Sequence, residues 1–97
     1  MNAPGPEVHR LHAVVNGRVQ GVGYRMFALE AARRHGCRGW VRNLGDGSVE
    51  LEAEGGEEDL TELLTELYRG PVSARVADID LEWSEGPARF TEFQIVR

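Results

Sequence analysis

The sequence contains no lysine, so all 11 of its basic residues are arginines. This absence excludes functions that depend on a lysine amine, namely a Walker A phosphate site, a Schiff base and a lysine general base. Because histidine is largely neutral at pH 7, arginine has to supply any side-chain positive charge that a functional site needs.

Cysteine and long apolar runs are also scarce. Cys37 is the single cysteine, so an intramolecular disulfide and every CxxC metal or redox motif are excluded. We interpret Cys37 as a small buried hydrophobe in a protein of the reducing cytoplasm. The longest candidate apolar run, Leu11 to Val15, is interrupted by His12 and is far too short to span a bilayer.

Negative charge dominates instead, with 16 acidic residues and a formal net charge of −5. This balance argues against a nucleic-acid partner, which requires a broad basic face, and we expect no membrane partner either. The 97 residues, 41% of them apolar, suit one compact domain. We assign residues 8–97 to that domain and residues 1–7 to a flexible N-terminal lead-in.

The first part of the domain has the pattern of a strand, a glycine-rich loop and a helix. Apolar residues alternate from Val8 to Asn16 and predict a strand that ends at Gly17. From Tyr24 the apolar spacing becomes helical, and Gly36 ends the predicted helix.

Two further strands, Cys37–Asn43 and Ser48–Glu54, are predicted on either side of an Asp-Gly turn at Leu44–Gly47. The second strand alternates clearly, so we expect one of its faces to be packed and the other, which carries three glutamates, to face solvent. Those glutamates are Glu50, Glu52 and Glu54.

The last part of the chain predicts a second helix and two more strands. The helix runs from Glu57 to Tyr68, a strand covers Ala77–Trp83, a turn follows at Ser84–Pro87, and a short strand covers Phe93–Ile95. The order β-α-β-β-α-β-β predicts an α+β, ferredoxin-like split βαβ sandwich, with two helices on one face of a mainly antiparallel four- to five-stranded sheet. This fold hosts many functions, so function has to be argued from a site.

The stretch Gly17–Arg25, GRVQGVGYR, holds the strongest indication of a site. Its three glycines allow a tight turn that directs consecutive N–H groups, with those of the helix start, at one small anion. Arg25 lies in the first helical turn, where a cation costs about 0.3–1 kcal/mol because of the helix dipole. By itself it would be interpreted as an exposed surface arginine, but beside the glycine loop a bound anion explains it better.

Asn43 precedes the Asp-Gly turn and, taken alone, is interpreted as a turn residue whose amide binds nearby backbone. However, GRVQGVGYR and GWVRNLGDGSVE (Gly39–Glu50) resemble the two signature stretches of the acylphosphatase family, in the family's order and separation. The resemblance extends over the whole domain in element order. It implies an enzyme that hydrolyses the carboxyl-phosphate bond of acyl phosphates to a carboxylate and inorganic phosphate, by in-line attack of water.

The resemblance also implies a role for each site residue. Arg25 would bind the phosphoryl group and Asn43 would position the attacking water. The backbone of five loop residues would cradle the phosphoryl group. These residues are Gln20, Gly21, Val22, Gly23 and Tyr24. No metal or cofactor is implied. We expect a monomer, and we expect inorganic phosphate, the product, to be a competitive inhibitor. Tyr24 departs from the family, in which phenylalanine is usual at this position.

Two alternative functions remain beside this interpretation. A non-catalytic anion-sensing or protein-interaction module of the same fold would keep the phosphate pocket and turn nothing over. An RNA-binding domain of this topology would carry aromatic residues on two central strands, but the first and third predicted strands have none. His9 and His12 are not a metal pair, because a separation of three along a strand places them on opposite faces.

Overall fold

The computed structural model describes residues 7–97, so residues 1–6 of the predicted flexible lead-in lie outside the described residues. Glu7, which was also assigned to the lead-in, is instead the first residue of a strand. The elements follow in the predicted order. They are β1 (Glu7–Arg18), α1 (Tyr24–Arg34), β2 (Arg38–Asn43), β3 (Val49–Gly55), α2 (Glu57–Arg69), β4 (Arg75–Pro87) and β5 (Phe93–Ile95).

The strands form one five-stranded sheet in the order β4-β1-β3-β2-β5. Neighbouring strands are antiparallel except for β2 and β5, which run parallel. α1 packs over β2 and β5, and α2 packs over β1, β3 and β4. The ferredoxin-like prediction is therefore confirmed, with β5 as the fifth strand. Within residues 7–97, neither helix is long and apolar enough to cross a membrane.

Three strand ends meet at one edge of the sheet. β3 is antiparallel to both β1 and β2, so β1 and β2 run in the same direction. β5 is parallel to β2 and shares that direction. The carboxyl ends of β1, β2 and β5 therefore lie at the same edge, beside the amino end of α1. This topology brings together segments that are far apart in the sequence.

The core lies between the sheet and the helices. Alternate residues of β1 and β3 fill it and have no exposed surface. They are Leu11, Ala13, Val15, Val49, Leu51 and Ala53. α2 adds Leu60, Leu63 and Leu67 at the predicted helical spacing. Cys37 is buried as expected, and burial, with a smaller contribution from Asp59, raises the pKa of its thiol to about 11.

The sheet face opposite the helices departs from the prediction at Glu54. The other two glutamates of β3 are partly exposed, but Glu54 is fully buried. Its carboxylate accepts hydrogen bonds from the backbone N–H groups of Arg89 and Phe90, both at 2.8 Å, and from Arg10 at 2.9 Å. Burial acts to raise the pKa of Glu54, but these bonds outweigh it and hold the pKa below its ordinary value. The prediction of a solvated glutamate was wrong because the segment between β4 and β5 covers it.

β1 and β4 are longer than predicted. The segment Ser84–Pro87 is not a turn, because β4 continues through it and pairs with Glu7–Arg10 of β1. At the other end, β1 does not stop at Gly17 but continues to Arg18. Its register with β4 shifts between Asn16 and Gly17, where Ala77 of β4 has no partner in β1. In both segments the long antiparallel ladder overrides the local turn signals.

Candidate active site

A cavity of about 250 Å³ opens at the sheet edge where β1, β2 and β5 end. The loop after β1, the first turn of α1, the end of β2 and the end of β5 all contribute to it. Its lining residues are Val19, Gly21, Gly23, Tyr24, Arg25, Met26, Asn43 and Ile95. The cavity therefore combines the two signature stretches with the last strand of the sheet.

The loop between β1 and α1 turns through two glycines with a left-handed backbone. Gly21 has φ 74°, and Gly23, the residue before α1, has φ 79°. A Cβ atom at either position would meet no other atom within 4 Å, so lack of space does not require glycine here. The backbone does, because a left-handed conformation costs other residues about 1–2 kcal/mol. The two glycines thus allow the loop to curve around the cavity.

The amino end of α1 presents backbone donors to this cavity. The first helical hydrogen bond runs from the N–H of Phe27 to the carbonyl of Gly23 at 3.0 Å, so the N–H groups of Tyr24, Arg25 and Met26 precede it. Within residues 7–97, no side chain caps this end and the first turn contains no acidic residue. The positive end of the helix dipole therefore has no counter-charge from its own first turn.

Arg25 is the one charged residue that lines the cavity in the described part of the chain. Its side chain is exposed, and no carboxylate of residues 7–97 lies within ion-pair distance of it. Four other arginines do have such a partner among these residues, namely Arg10, Arg34, Arg42 and Arg89. The Arg25 guanidinium is therefore available to an anion in the cavity.

Gln20 fastens the loop to the turn between β2 and β3. Its side-chain Nε2 donates to the carbonyl oxygens of Leu44 and Ser48 at 2.7 and 2.8 Å. These bonds hold the loop against the turn that follows Asn43, and this brings Asn43 and Arg25 to one cavity. The sequence predicted a role in phosphoryl binding for the Gln20 backbone and none for its side chain. No local pattern shows which carbonyl groups that side chain reaches.

Asn43 is half-buried at the end of β2 and lines the cavity. The side-chain hydrogen bond that supports the following turn is made by Asp46, which accepts from the N–H of Ser48 at 3.0 Å. Among residues 7–97 the Asn43 amide has no hydrogen-bond partner. The turn is therefore formed without the Asn43 side chain.

The residues predicted to cradle a phosphoryl group have different places in the structure. Gly21, Gly23 and Tyr24 line the cavity, whereas Gln20 and Val22 do not. Val22 is half-buried and packs against the core. The structure thus brings three of the five cradle residues to the cavity wall, together with Arg25 and Asn43.

Three lining residues were not predicted as part of a site, and all three are apolar. They are Val19, Met26 and Ile95. In the sequence, apolar residues at these positions are indistinguishable from ordinary core residues of a strand or helix. Their position at the cavity depends on the sheet order and carries no separate signal in the sequence.

The Tyr24 side chain is buried, and its hydroxyl donates to the carbonyl of Leu67 at 2.7 Å. In a continuing helix the Leu67 carbonyl would accept a hydrogen bond from the N–H of the residue four positions later. That residue is Pro71, which has no N–H group. Tyr24 supplies the missing donor and joins the start of α1 to the end of α2. Burial raises the pKa of the Tyr24 phenol, so its hydroxyl keeps its proton for this bond.

Acidic and basic side chains other than Arg25 are missing from the described cavity lining. No carboxylate, histidine or cysteine of residues 7–97 lines it. Over the same residues, no group of three or more such side chains is arranged to hold a metal ion. The polar groups that these residues bring to the cavity are backbone N–H groups, the Arg25 guanidinium and the Asn43 amide.

Comparison with known proteins identifies the family. The family model described as Acylphosphatase matches residues 11–95. The chain is 47% identical over 88 residues to an acylphosphatase of Salinibacter ruber, covering 91% of this chain and 93% of the relative. It is 51% identical over 77 residues to an acylphosphatase of an Anaeromyxobacter species, covering 79% of this chain and 83% of the relative. The crystal structure of acylphosphatase from Bacillus subtilis matches with a TM-score of 0.89 at 36% identity, over 92% of this chain and 99% of that chain. The family-model match, the similar sequences and the similar solved structure show that this chain belongs to the acylphosphatase family.

Proposed function

We propose that this enzyme of the acylphosphatase family, which hydrolyses the carboxyl-phosphate bond of acyl phosphates, carries out the reaction in the cavity at the amino end of α1. The observation that carries the proposal is that Arg25 and Asn43 line the same cavity, beside Gly21 and Gly23. In this proposal Arg25 and the loop backbone from Gln20 to Tyr24 hold the phosphoryl group. Asn43 positions the attacking water.

The reaction requires little assistance to its leaving group. The acyl group departs as a carboxylate, whose conjugate acid has a pKa of about 4, so no general acid is needed. The water oxygen bonds to phosphorus while the bond from phosphorus to the carboxyl oxygen breaks, and its electron pair leaves with the carboxylate. The site therefore has to stabilise charge on the phosphoryl oxygens and align the water.

Arg25 is suited to stabilising the phosphoryl group. A guanidinium binds two phosphoryl oxygens at once through parallel N–H donors. Because no carboxylate of residues 7–97 pairs with Arg25, binding the phosphoryl group does not require an ion pair of these residues to break. The backbone donors at the start of α1 add positive potential at the same place.

Asn43 is suited to orienting water, because its amide both donates and accepts hydrogen bonds but cannot take up a proton. The described cavity lining holds no carboxylate or histidine that would act as a base. We therefore propose that a phosphoryl oxygen of the substrate receives the proton from the attacking water. A pH–rate profile that reveals an essential enzymic base would rule out this step.

A turnover assay with benzoyl phosphate tests the proposal. We expect the rate of hydrolysis to be unchanged by excess EDTA. We also expect inorganic phosphate to inhibit competitively, because phosphate and the phosphoryl group of the substrate bind at the same loop. The alternative, a non-catalytic anion-sensing module, would bind phosphate without turnover. A rate that falls with chelator and returns with a divalent ion would contradict a metal-independent site.

One chain supplies every residue of the proposed site. We therefore propose that the monomer is the active unit. We also propose that the protein acts in the cytoplasm, because an unpaired cysteine suits a reducing compartment. Light scattering should give the mass of one 10.8 kDa chain, and specific activity should not change on dilution. Activity that disappears on dilution would contradict this proposal.

A further inference from the structure

Two exposed apolar side chains line the cavity that holds Arg25 and Asn43. Met26 is 51% exposed and Ile95 is 37% exposed. Single apolar residues at a protein surface are common, but these two come from different elements, α1 and β5, and line the same cavity. An apolar group bound in the cavity would remove both side chains from water.

The fold places these side chains next to the groups that hold the phosphoryl group and the water. Met26 follows Arg25 in the first turn of α1. Ile95 pairs with Val41, two residues before Asn43 on the neighbouring parallel strand. A phosphoryl group held by Arg25 therefore has its acyl substituent within reach of Met26 and Ile95.

The charge of the lining limits which acyl groups fit. Arg25 is the one charged side chain that residues 7–97 contribute to the cavity. In the proposed complex its guanidinium is paired with the phosphoryl group. A second anionic group on the acyl part would meet no further cation in the described cavity lining. It would also approach a chain whose net charge is −5.

We infer that Met26 and Ile95 form the acyl-binding side of the site and select acyl phosphates whose acyl group is uncharged and apolar. This inference rests on the proposed function, because it takes Arg25 as the phosphoryl ligand. The unbranched thioether of Met26 adapts to acyl groups of different shape. Ile95 is stiff at χ1 and provides a more rigid part of the cavity wall.

The first test compares two substrates that share one ring and differ by one carboxylate, benzoyl phosphate and 4-carboxybenzoyl phosphate. After correction for uncatalysed hydrolysis, we expect kcat/KM to favour benzoyl phosphate by about tenfold or more, the low end of what pocket contacts discriminate. Equal values for the two substrates would overturn this inference and leave the proposed function intact. Hydrolysis of neither substrate would overturn the proposed function and this inference with it.

A matched pair of charge variants separates the cavity from the overall charge. Met26→Arg adds a cation at the acyl side, and the preference for benzoyl phosphate should fall by about fivefold or more. Val72→Arg adds the same charge at a fully exposed residue that does not line the cavity, and should keep the wild-type preference. Equal shifts in the two variants would show that net charge sets the preference and would overturn the inference.

A third variant keeps the inference testable if Met26→Arg does not fold. Ile95→Thr retains the β-branched shape but replaces the γ1-methylene group with a hydroxyl and removes the δ-methyl group, so KM for benzoyl phosphate should rise by about threefold or more. The inhibition constant of phosphate should stay unchanged, because phosphate lacks an acyl group. An unchanged KM in Ile95→Thr would contradict a contact between Ile95 and the acyl group.

Discussion

The two helices of this protein begin in opposite electrostatic environments. α2 follows Gly56 and has Glu57, Glu58 and Asp59 in its first turn, whereas the first turn of α1, which follows Gly23, contains Arg25 and no acidic residue. At α2 the chain's own carboxylates offset the positive end of the helix dipole. At α1 that potential is left for an anion from outside, and the cavity lies at this end. The comparison shows that one helix start carries its own counter-charges and the other does not, which supports the proposal that the start of α1 binds the anion.

The glycines that precede the two helices differ in backbone as well. Gly56 has φ −69° and ψ 149°, an extended conformation that any residue adopts, whereas Gly23 has φ 79° and ψ 18°. Glycine is thus required by the backbone before α1 and not before α2. Substitution of Gly23 should therefore affect both stability and phosphate binding, whereas substitution of Gly56 should leave phosphate binding unchanged.

The largest effect is expected from removing the cation at the start of α1. Arg25→Ala should lower kcat/KM for benzoyl phosphate by roughly 10³-fold, the scale of an arginine that stabilises phosphoryl transfer, and should abolish inhibition by phosphate. Arg25→Lys should restore little, because an ammonium does not bind two oxygens in parallel. Arg69→Ala in the last turn of α2 removes the same charge and is the control. Normal phosphate inhibition in Arg25→Ala would contradict its binding role.

The next largest effect is expected at Asn43. Asn43→Ala should lower kcat by about 100-fold, the scale for loss of one positioning group. Inhibition by phosphate should stay nearly unchanged, because Asn43 contacts the water in this proposal. Asn16→Ala is the control, since its amide donates to Asp78 at 2.7 Å and does not line the cavity. A near-normal kcat in Asn43→Ala would contradict the water-positioning role of Asn43.

The same substitution before each helix tests the backbone difference. Gly23→Ser should lower the free energy of unfolding by about 1–2 kcal/mol, because serine is strained at positive φ, and should weaken phosphate inhibition. Gly56→Ser should change the free energy of unfolding by less than about 0.5 kcal/mol, because serine is accepted at an extended N-cap. A Cβ there comes closest to the Asp59 carboxylate, at 3.3 Å. Urea denaturation gives the free energy of unfolding of both variants, and steady-state kinetics gives their inhibition constants for phosphate. Equal changes in the two variants would contradict a different backbone requirement at Gly23 and Gly56.

The smallest effect is expected where the start of α1 meets the end of α2. Tyr24→Phe removes the donor to the Leu67 carbonyl and should lower the free energy of unfolding by about 1 kcal/mol. The value of kcat should change by less than about twofold, since the hydroxyl serves a bond between helices. Denaturation and steady-state kinetics on the same preparation test this. A large loss of kcat would mean that the hydroxyl also takes part in the reaction.

Predictions from the sequence succeeded where the pattern is local and failed where distant segments meet. α1 and α2 begin at Tyr24 and Glu57 as predicted, because helical spacing and first-turn charges are read from neighbouring residues. The predicted turn at Ser84–Pro87 is a strand because it pairs with the start of β1. Glu54 was expected in solvent and is buried because the chain after β4 folds over it.

The sequence by itself determined the strand, glycine-rich loop and helix that carry Arg25, because alternation, glycine conformation and helical spacing are properties of adjacent residues. The family resemblance named Asn43, but only the tertiary structure decided that Asn43 lines the same cavity. β1 and β2 lie on either side of β3. The Gln20 side chain, just after β1, donates hydrogen bonds to the turn that follows Asn43 at the end of β2. The position of Ile95 at the cavity depends in the same way on the pairing of β5 with β2. Such pairings form between segments distant in the chain, and their geometry is set by the packing of the whole sheet.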